Sequence, residues 1–360
     1  MKLNILADLL NIKYPIIQAP MAGGITTSKL VAEVSETGAL GMIGAGYLTP
    51  YQLKNQIIEI RKMTSKPFGV NLFVPQKFVV NTQDVNSVKQ ILDAINKELN
   101  VTYTEDLVLP NFLEEHGKFN EQIKIIMDMN IPVCSFTFGI PSKEIVASLQ
   151  NANVTVIGTA TTVEEAMEVE KSGVDIIVAQ GAEAGGHRGS FINESVDSLI
   201  GLMSLVPQVT DTVSKPVVAA GGIMDGRGLM ASLCLGAVGV QMGTAFLTCD
   251  ESGAHDVHKD AILNTQENQT TLTRSFSGKW SRGIKNKFIV EMREHEDTFP
   301  VYPVQNSLTQ LMRKASSLQN NKHYMSLWSG QSPKLAKRQT VESLIQSVIK
   351  DVKDITSRLI

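Results

Sequence analysis

Short apolar runs without polar alternation recur through the first 250 residues, each followed by a glycine-rich or polar turn. Strands buried on both faces read this way. Eight such runs are present: Pro15 to Pro20, Leu40 to Gly46, Pro67 to Val74, Val133 to Gly139, Val154 to Ala160, Val174 to Gly181, Pro216 to Gly222 and Ala237 to Thr244. Helix-period segments lie between several of them. After the fifth run, Thr162 stands three residues before Glu165 as a capping box, with Val163, Ala166 and Met167 on one face and Gly173 as the stop. After the seventh, Asp225 caps a helix expected to turn Leu229, Met230, Leu233 and Cys234 inward and to end at Gly236. The interval from strand to strand is about 20 residues in both cases, the size of one βα unit. Eight such units predict a (β/α)8 TIM barrel, in preference to a doubly wound open sheet, whose edge strands would be shorter or more polar.

The expected organisation is a barrel over residues 1–250 with an insertion at about 75–130, a lid subdomain over 251–335, and a terminal segment, 336–360. Its apolar positions Ile345, Val348, Ile349 and Val352 make an amphipathic helix packed on the barrel. With 43% hydrophobic and 19% charged residues, the 360-residue chain has enough apolar sequence for a large core. Its 33 basic and 36 acidic residues leave a net charge of −3 and no basic tract, which argues against nucleic acid or an anionic membrane as partner. Cys134, Cys234 and Cys249 are too few and scattered for a disulfide framework or zinc cage, read as packing residues, and fit a reducing cytoplasm. Neither a secretory leader nor an 18-residue apolar span is present, so secretion and membrane insertion are not expected. A monomer or a homodimer fits this composition equally.

In such a barrel the chemistry gathers at the carboxyl ends of the strands. The last two runs end in Gly221-Gly222 and Gln241-Met242-Gly243-Thr244, where exposed amides and a following helix N-terminus suit a phosphate. The sixth run leads into Gly185-Gly186-His187, which places an imidazole on a loop of small residues facing an open pocket, where it can exchange a proton near neutral pH. Ala19, Pro20 and Met21 end the first run and would let a flat ring lie against main chain. The amides of Asn71 and Gln180 can pair with a heterocycle edge or simply satisfy the core. His255 and His258 form HxxH without a third ligand, so a solvated helix face is expected and no metal. The cations between Arg274 and Lys287 are interleaved with polar residues, as on a surface segment.

Together PIIQAPMAGG, FGVNLFVP, VDIIVAQGAEAGGHRG, the stretch from PVVAAGG to GTAFLTCDES, and WSGQ at Trp328 to Gln331 resemble the nitronate monooxygenases, formerly called 2-nitropropane dioxygenases. The resemblance implies an FMN-dependent barrel enzyme that denitrifies alkyl nitronates with O2, propionate 3-nitronate foremost, giving a carbonyl compound with nitrite and nitrate. It implies that Asn71, Gln180, Gly185, Gly222 and Gln241 through Thr244 hold FMN. His187 matches the family's active-site histidine, the base for neutral nitroalkanes and an orienting group for a preformed nitronate. Two departures stand out. Thr137 occupies a position where some members carry histidine, and Phe299 and Ser307 stand where some carry tyrosine and lysine, which weighs against a carboxylate-bearing substrate. The nearest rival is the FMN-dependent enoyl-acyl-carrier-protein reductase, which shares the EAGGH loop and uses a nicotinamide donor. A flavin-binding barrel without catalysis is the alternative of another class.

Overall fold

Each of the eight runs contributes one strand to a closed parallel ring in the computed structural model, which describes residues 5–101, 108–193, 195 and 198–359. These strands are β1 (Ile16–Gln18), β2 (Gly41–Gly44), β3 (Phe68–Phe73), β4 (Val133–Thr137), β5 (Thr155–Ala160), β6 (Ile176–Gln180), β8 (Val217–Ala220) and β9 (Gly239–Met242). The order around the ring is β1-β9-β8-β6-β5-β4-β3-β2. Hydrogen bonds from Gln18 N to Leu40 O and from Leu40 N to Ile16 O, both 2.9 Å, close it. This is the (β/α)8 barrel, and closure removes the polar edges that an open sheet would have to manage.

Side-chain alternation along these strands divides the barrel into zones. Outward positions such as Ile16, Val70, Phe136, Ile177, Ala219 and Met242 pack under the surrounding helices in one cluster. Inward positions at the amino end, among them Ile17, Met42, Val133, Ile157 and Val218, form a second apolar plug together with Leu6 and Leu10 of the N-terminal helix Ile5–Leu10. Further along the same strands the inward series becomes polar: Asn71, Thr137, Thr159, Gln180 and Gln241. Period-two geometry thus puts an apolar floor beneath a polar rim.

Both helices expected from their caps form, with corrections to their faces. Val163–Lys171 starts at Thr162, but Glu165 does not close the capping box. It turns inward instead. Its Oε2 accepts from Thr161 N and Oγ1, each at 2.7 Å, and its Oε1 from Phe191 N at 2.6 Å and Ile192 N at 3.0 Å. Met167, expected inside, is exposed, because a residue two positions past Glu165 lies about 200° around the helix. In Gly226–Cys234, Leu229 and Leu233 are buried as expected, whereas Ser232 takes the inner position and the Cys234 thiol is exposed. Cys134 and Cys249 are buried in the core.

Two further helices lie between β3 and β4. Phe112–Asp128 packs Phe119, Ile123 and Ile126 into the barrel core, as a crossover helix should. Thr82–Glu98 joins a separate apolar cluster instead. Its Val85, Val88 and Leu92 lie with Phe276, Phe288, Phe299, Leu308 and Met312 from the segment beyond β9. The last helix, Val341–Leu359, buries Leu344, Ile345 and Val348 against the barrel. No helix among the described residues is long and apolar enough to cross a membrane.

Glu165 ties the end of β5 to residues 191 and 192 through four donors, so Glu165→Gln should be costly. The new amide would face donors that it cannot satisfy, for a loss of about 2–4 kcal/mol. Urea unfolding checks this, and a change below about 0.5 kcal/mol would contradict the role.

Candidate active site

A cavity of about 480 Å³ opens over the polar rim. Of the residues singled out from sequence, Ala19, Pro20, Met21, Asn71, Gln180, Gly185, Gly186, His187, Gly221, Gly222, Gln241, Gly243 and Thr244 all line it. Met242 does not. Alternation from Gln241 turns its side chain outward into the core, and only its carbonyl reaches the rim, accepting from Ala19 N at 2.8 Å.

His187 does not ride on a free loop. Gly186 and His187 form a two-residue strand, β7, which pairs antiparallel with β11 (Ser281–Ile284) in a small sheet completed by β10 (Thr270–Thr273). Arg188 N donates to Trp280 O at 2.8 Å and extends the pairing. Gln180 secures the other side: its Nε2 donates to His187 O at 3.1 Å and its Oε1 accepts from Gly189 N at 2.8 Å. Both ends of that amide are thereby engaged with backbone. Asn71 Nδ2 donates to Ser135 Oγ at 2.8 Å and Thr137 Oγ1 at 3.1 Å, so Thr137 helps to position Asn71 at the rim.

Of the cations expected on a surface segment, Lys285 and Lys287 are exposed as expected, whereas Lys279 and Arg282 are buried under this loop. Lys279 Nζ donates to Ser190 O at 2.8 Å and Arg282 Nε to Ala182 O at 2.9 Å, so both hold the backbone that carries His187. The histidines of HxxH are likewise structural. His255 Nδ1 accepts from Val257 N at the start of the helix Asp256–Leu263, and the buried His258 bonds through Nε2 to Trp328 O at 2.8 Å. A carbonyl only accepts, so the His258 proton sits on Nε2. His258 therefore does not form the solvated face expected from sequence.

His187 Nε2 lies 2.8 Å from Ser277 Oγ. That hydroxyl directs its own proton to Lys279 O at 3.2 Å, which makes Nε2 the donor and leaves Nδ1 with a lone pair. Edge contacts with Phe138 at 5.8 Å and Trp328 at 5.4 Å fix the ring plane. Loss of hydration, then the charges of Lys279 and Arg313, push the imidazole down to about 3, although part of the ring remains open to the cavity. At physiological pH it is neutral.

The glycines make a cradle. Gly221 and Gly222 have φ of +134° and +64°, and a Cβ on either would crowd Ala184 N or Glu183 Cβ at 3.1 Å. Among the described residues the amides of Gly222 and Gly243 donate to no protein acceptor, as an anion site requires. The helix after β8 adds little there, because Asp225 Oδ1 already accepts from Arg227 N and Gly228 N.

Sequence reasoning missed Tyr47, Phe73, Phe138, Asn306 and Arg313, which also line the cavity. Arg313 Nη2 donates to Asn306 O and Oδ1 at 2.8 and 2.9 Å, and no carboxylate pairs with it among the described residues. Phe299 and Ser307 are not in the cavity wall: Phe299 packs in the cluster around Phe276, and Ser307 Oγ donates to Pro303 O. Their identities therefore do not decide whether a carboxylate is accepted.

Burial holds His258 down to about 4 and His187 to about 3, while both titrate near 6.5 in an unfolded chain. Their contribution to stability is complete above about pH 6.5 and is lost as the pH falls toward 4, because only the unfolded chain takes up the protons. The free energy of unfolding in urea should fall over this window by up to about 3 kcal/mol for each histidine, with a shallower fall in His258→Gln. Equal slopes in parent and variant would contradict the assignment.

The chain matches the family model described as nitronate monooxygenase over residues 4–351. A probable nitronate monooxygenase of Staphylococcus haemolyticus (strain JCSC1435) is 51% identical over 352 residues, 97% of each chain. One from Staphylococcus aureus (strain Newman) is 48% identical over 353 residues, 98% of each. Among solved structures, a nitroalkane oxidase from Streptomyces ansochromogenes is similar with a TM-score of 0.90, at 37% identity over 99% of both chains. FabK from Thermotoga maritima is similar at 0.77 and 29% identity, over 98% of this chain and 97% of that one. With that match spanning nearly the whole sequence, and with relatives near 50% identity, the chain belongs to the nitronate monooxygenase family, a group of flavin-dependent oxidoreductases.

Proposed function

We propose that this chain is an FMN-dependent nitronate monooxygenase that converts alkyl nitronates and O2 to a carbonyl compound with nitrite or nitrate. One observation carries the reading: a glycine cradle with unengaged amides shares a cavity with a neutral imidazole beside two cations. FMN bound there would supply the redox-active ring. Gly221, Gly222, Gly243 and Thr244 would take its phosphate. Ala19, Pro20, Met21, Asn71, Gly185, Gly186 and Gln241 would surround the rest, while Gln180 and the Met242 carbonyl hold the rim. The segment 251–335, joined by the helix Thr82–Glu98, acts as the lid over the barrel of residues 1–250, and residues 336–360 brace it.

The state of His187 suits an anionic substrate. An imidazole pushed down to about 3 is a weak base, so it removes a carbon-bound proton more slowly than an ordinary histidine would. A preformed nitronate has already lost that proton, and the field of Lys279 and Arg313 favours its arrival. A nitronate oxygen only accepts, so neutral His187 meets the nitronate with its ring edge and not through the lone pair on Nδ1. A second anionic group, as in propionate 3-nitronate, has Arg313 in the cavity wall to meet it.

Anaerobic titration of the yellow holoenzyme tests the reading: propionate 3-nitronate should bleach the flavin, with little response to NADPH. Bleaching by NADPH alone would point to the rival enoyl-acyl-carrier-protein reductase. His187→Asn should keep its flavin, lose about 10²-fold or more on neutral nitroethane and less on the preformed nitronate. Equal turnover of nitroethane by parent and variant would remove His187 from the mechanism. Arg313→Met should raise KM for propionate 3-nitronate about ten- to a hundredfold and leave ethyl nitronate nearly unchanged. Parallel changes in both would mean that Arg313 does not read the second charge.

A further inference from the structure

A second cavity, of about 280 Å³, lies behind the first, and Phe73 and Phe138 line both. Its walls combine an apolar part, with Val74, Pro75, Phe119 and Val301, and polar groups, among them Glu115, Lys118 and Gln122, and the exposed Gln76 and Lys77 also line it. The partition is made of stacked rings. Phe73 and Phe138 have centroids 4.5 Å apart, Phe138 and Tyr302 5.3 Å, and Phe73 and Tyr302 6.4 Å. Rings this close are in contact, and no alkyl chain passes between them. The other side of Phe138 meets His187 at 5.8 Å, and Tyr302 reaches the same ring at 6.2 Å, so Phe138 is the nearer of two rings that separate the imidazole from the second cavity.

The backbone shows that this placement is imposed. Alternation along β4 sends Phe136 outward and Thr137 to the rim, and would send residue 138 outward again. Instead Phe138 has φ +71°, a conformation that bulky side chains rarely adopt, and its ring lies against the cavity with Lys279 Nζ 5.1 Å from its centroid. Strained residues of this kind concentrate at ligand sites. On the far side Gly46 makes room for Phe73, since a Cβ there would overlap the Phe73 ring.

We infer that Phe138 determines chain-length specificity: it closes the substrate cavity behind the reacting group, and the second cavity is the space that a longer unbranched alkyl tail occupies once the ring is removed. The inference rests on the nitronate reading above. Phe138→Ala and Phe138→Leu, loaded with FMN, are compared with the parent on the nitronates of nitroethane and 1-nitrohexane. The ratio of kcat/KM for the longer over the shorter substrate should rise at least tenfold in the alanine variant and by a smaller factor in the leucine variant. Independently of turnover, calorimetric titration with straight-chain carboxylates from propanoate to octanoate should show affinity levelling off early in the parent. In the alanine variant it should keep tightening by about threefold per methylene. If Phe138→Ala does not fold, Phe138→Leu decides the matter. A folded variant with the parent's profile in both series overturns the inference. A parent that turns over no nitronate would overturn the nitronate reading instead, and the carboxylate series would still judge the partition.

Discussion

The pairing of Gly186 and His187 with Ser281 and Arg282 is the contact on which the site depends. Without it the residues after β6 would be a glycine-rich loop, and the imidazole would sample many directions. With it, the histidine belongs to a sheet whose other two strands come from beyond β9, and it lies beside Ser277 and Trp328 from the same part of the chain. The barrel supplies the floor and the glycines, whereas the segment beyond β9 supplies the orientation. His258 serves the same end from the opposite side by holding Trp328 through its carbonyl.

Electrostatics follows from this assembly. Arg188, Lys279 and Arg282 are buried beneath the loop, where each donates to backbone carbonyls. Charges in that position are costly to desolvate and are kept where they fix geometry or shape a field. Here they pin the carbonyls of residues 181, 182 and 190, and Lys279 adds to the burial that holds the imidazole neutral.

The barrel strands, the glycine ends and His187 were legible in the sequence because each is a local pattern, an apolar run followed by a turn of small residues. What was not legible depends on distant partners. Lys279 and Arg282 look like surface cations among polar neighbours, and the carbonyls they bond lie 89 and 100 residues away along the chain. Arg313, from the segment beyond β9, and Tyr47, just past β2, are brought to one cavity wall only by the fold. Met242 is a different kind of miss, since period-two alternation from Gln241 excludes its side chain from the rim. Met167 and Cys234 are errors of helical phase, each one residue past the buried Ala166 and Leu233.

Phe138 shows how such a site tolerates a local conflict. A bulky residue with left-handed φ costs of order 1–3 kcal/mol, and nothing within its own strand recovers that. The ring is buried against Phe73, Tyr302 and His187 with an ammonium group at its face, contacts contributed by β3, the segment beyond β9 and β7. Burial of an aromatic side chain on this scale offsets the strain. The strained conformation is therefore stable only in the assembled protein, where the same three elements also place the imidazole. One set of contacts thus fixes both the reacting end of the cavity and the wall behind it.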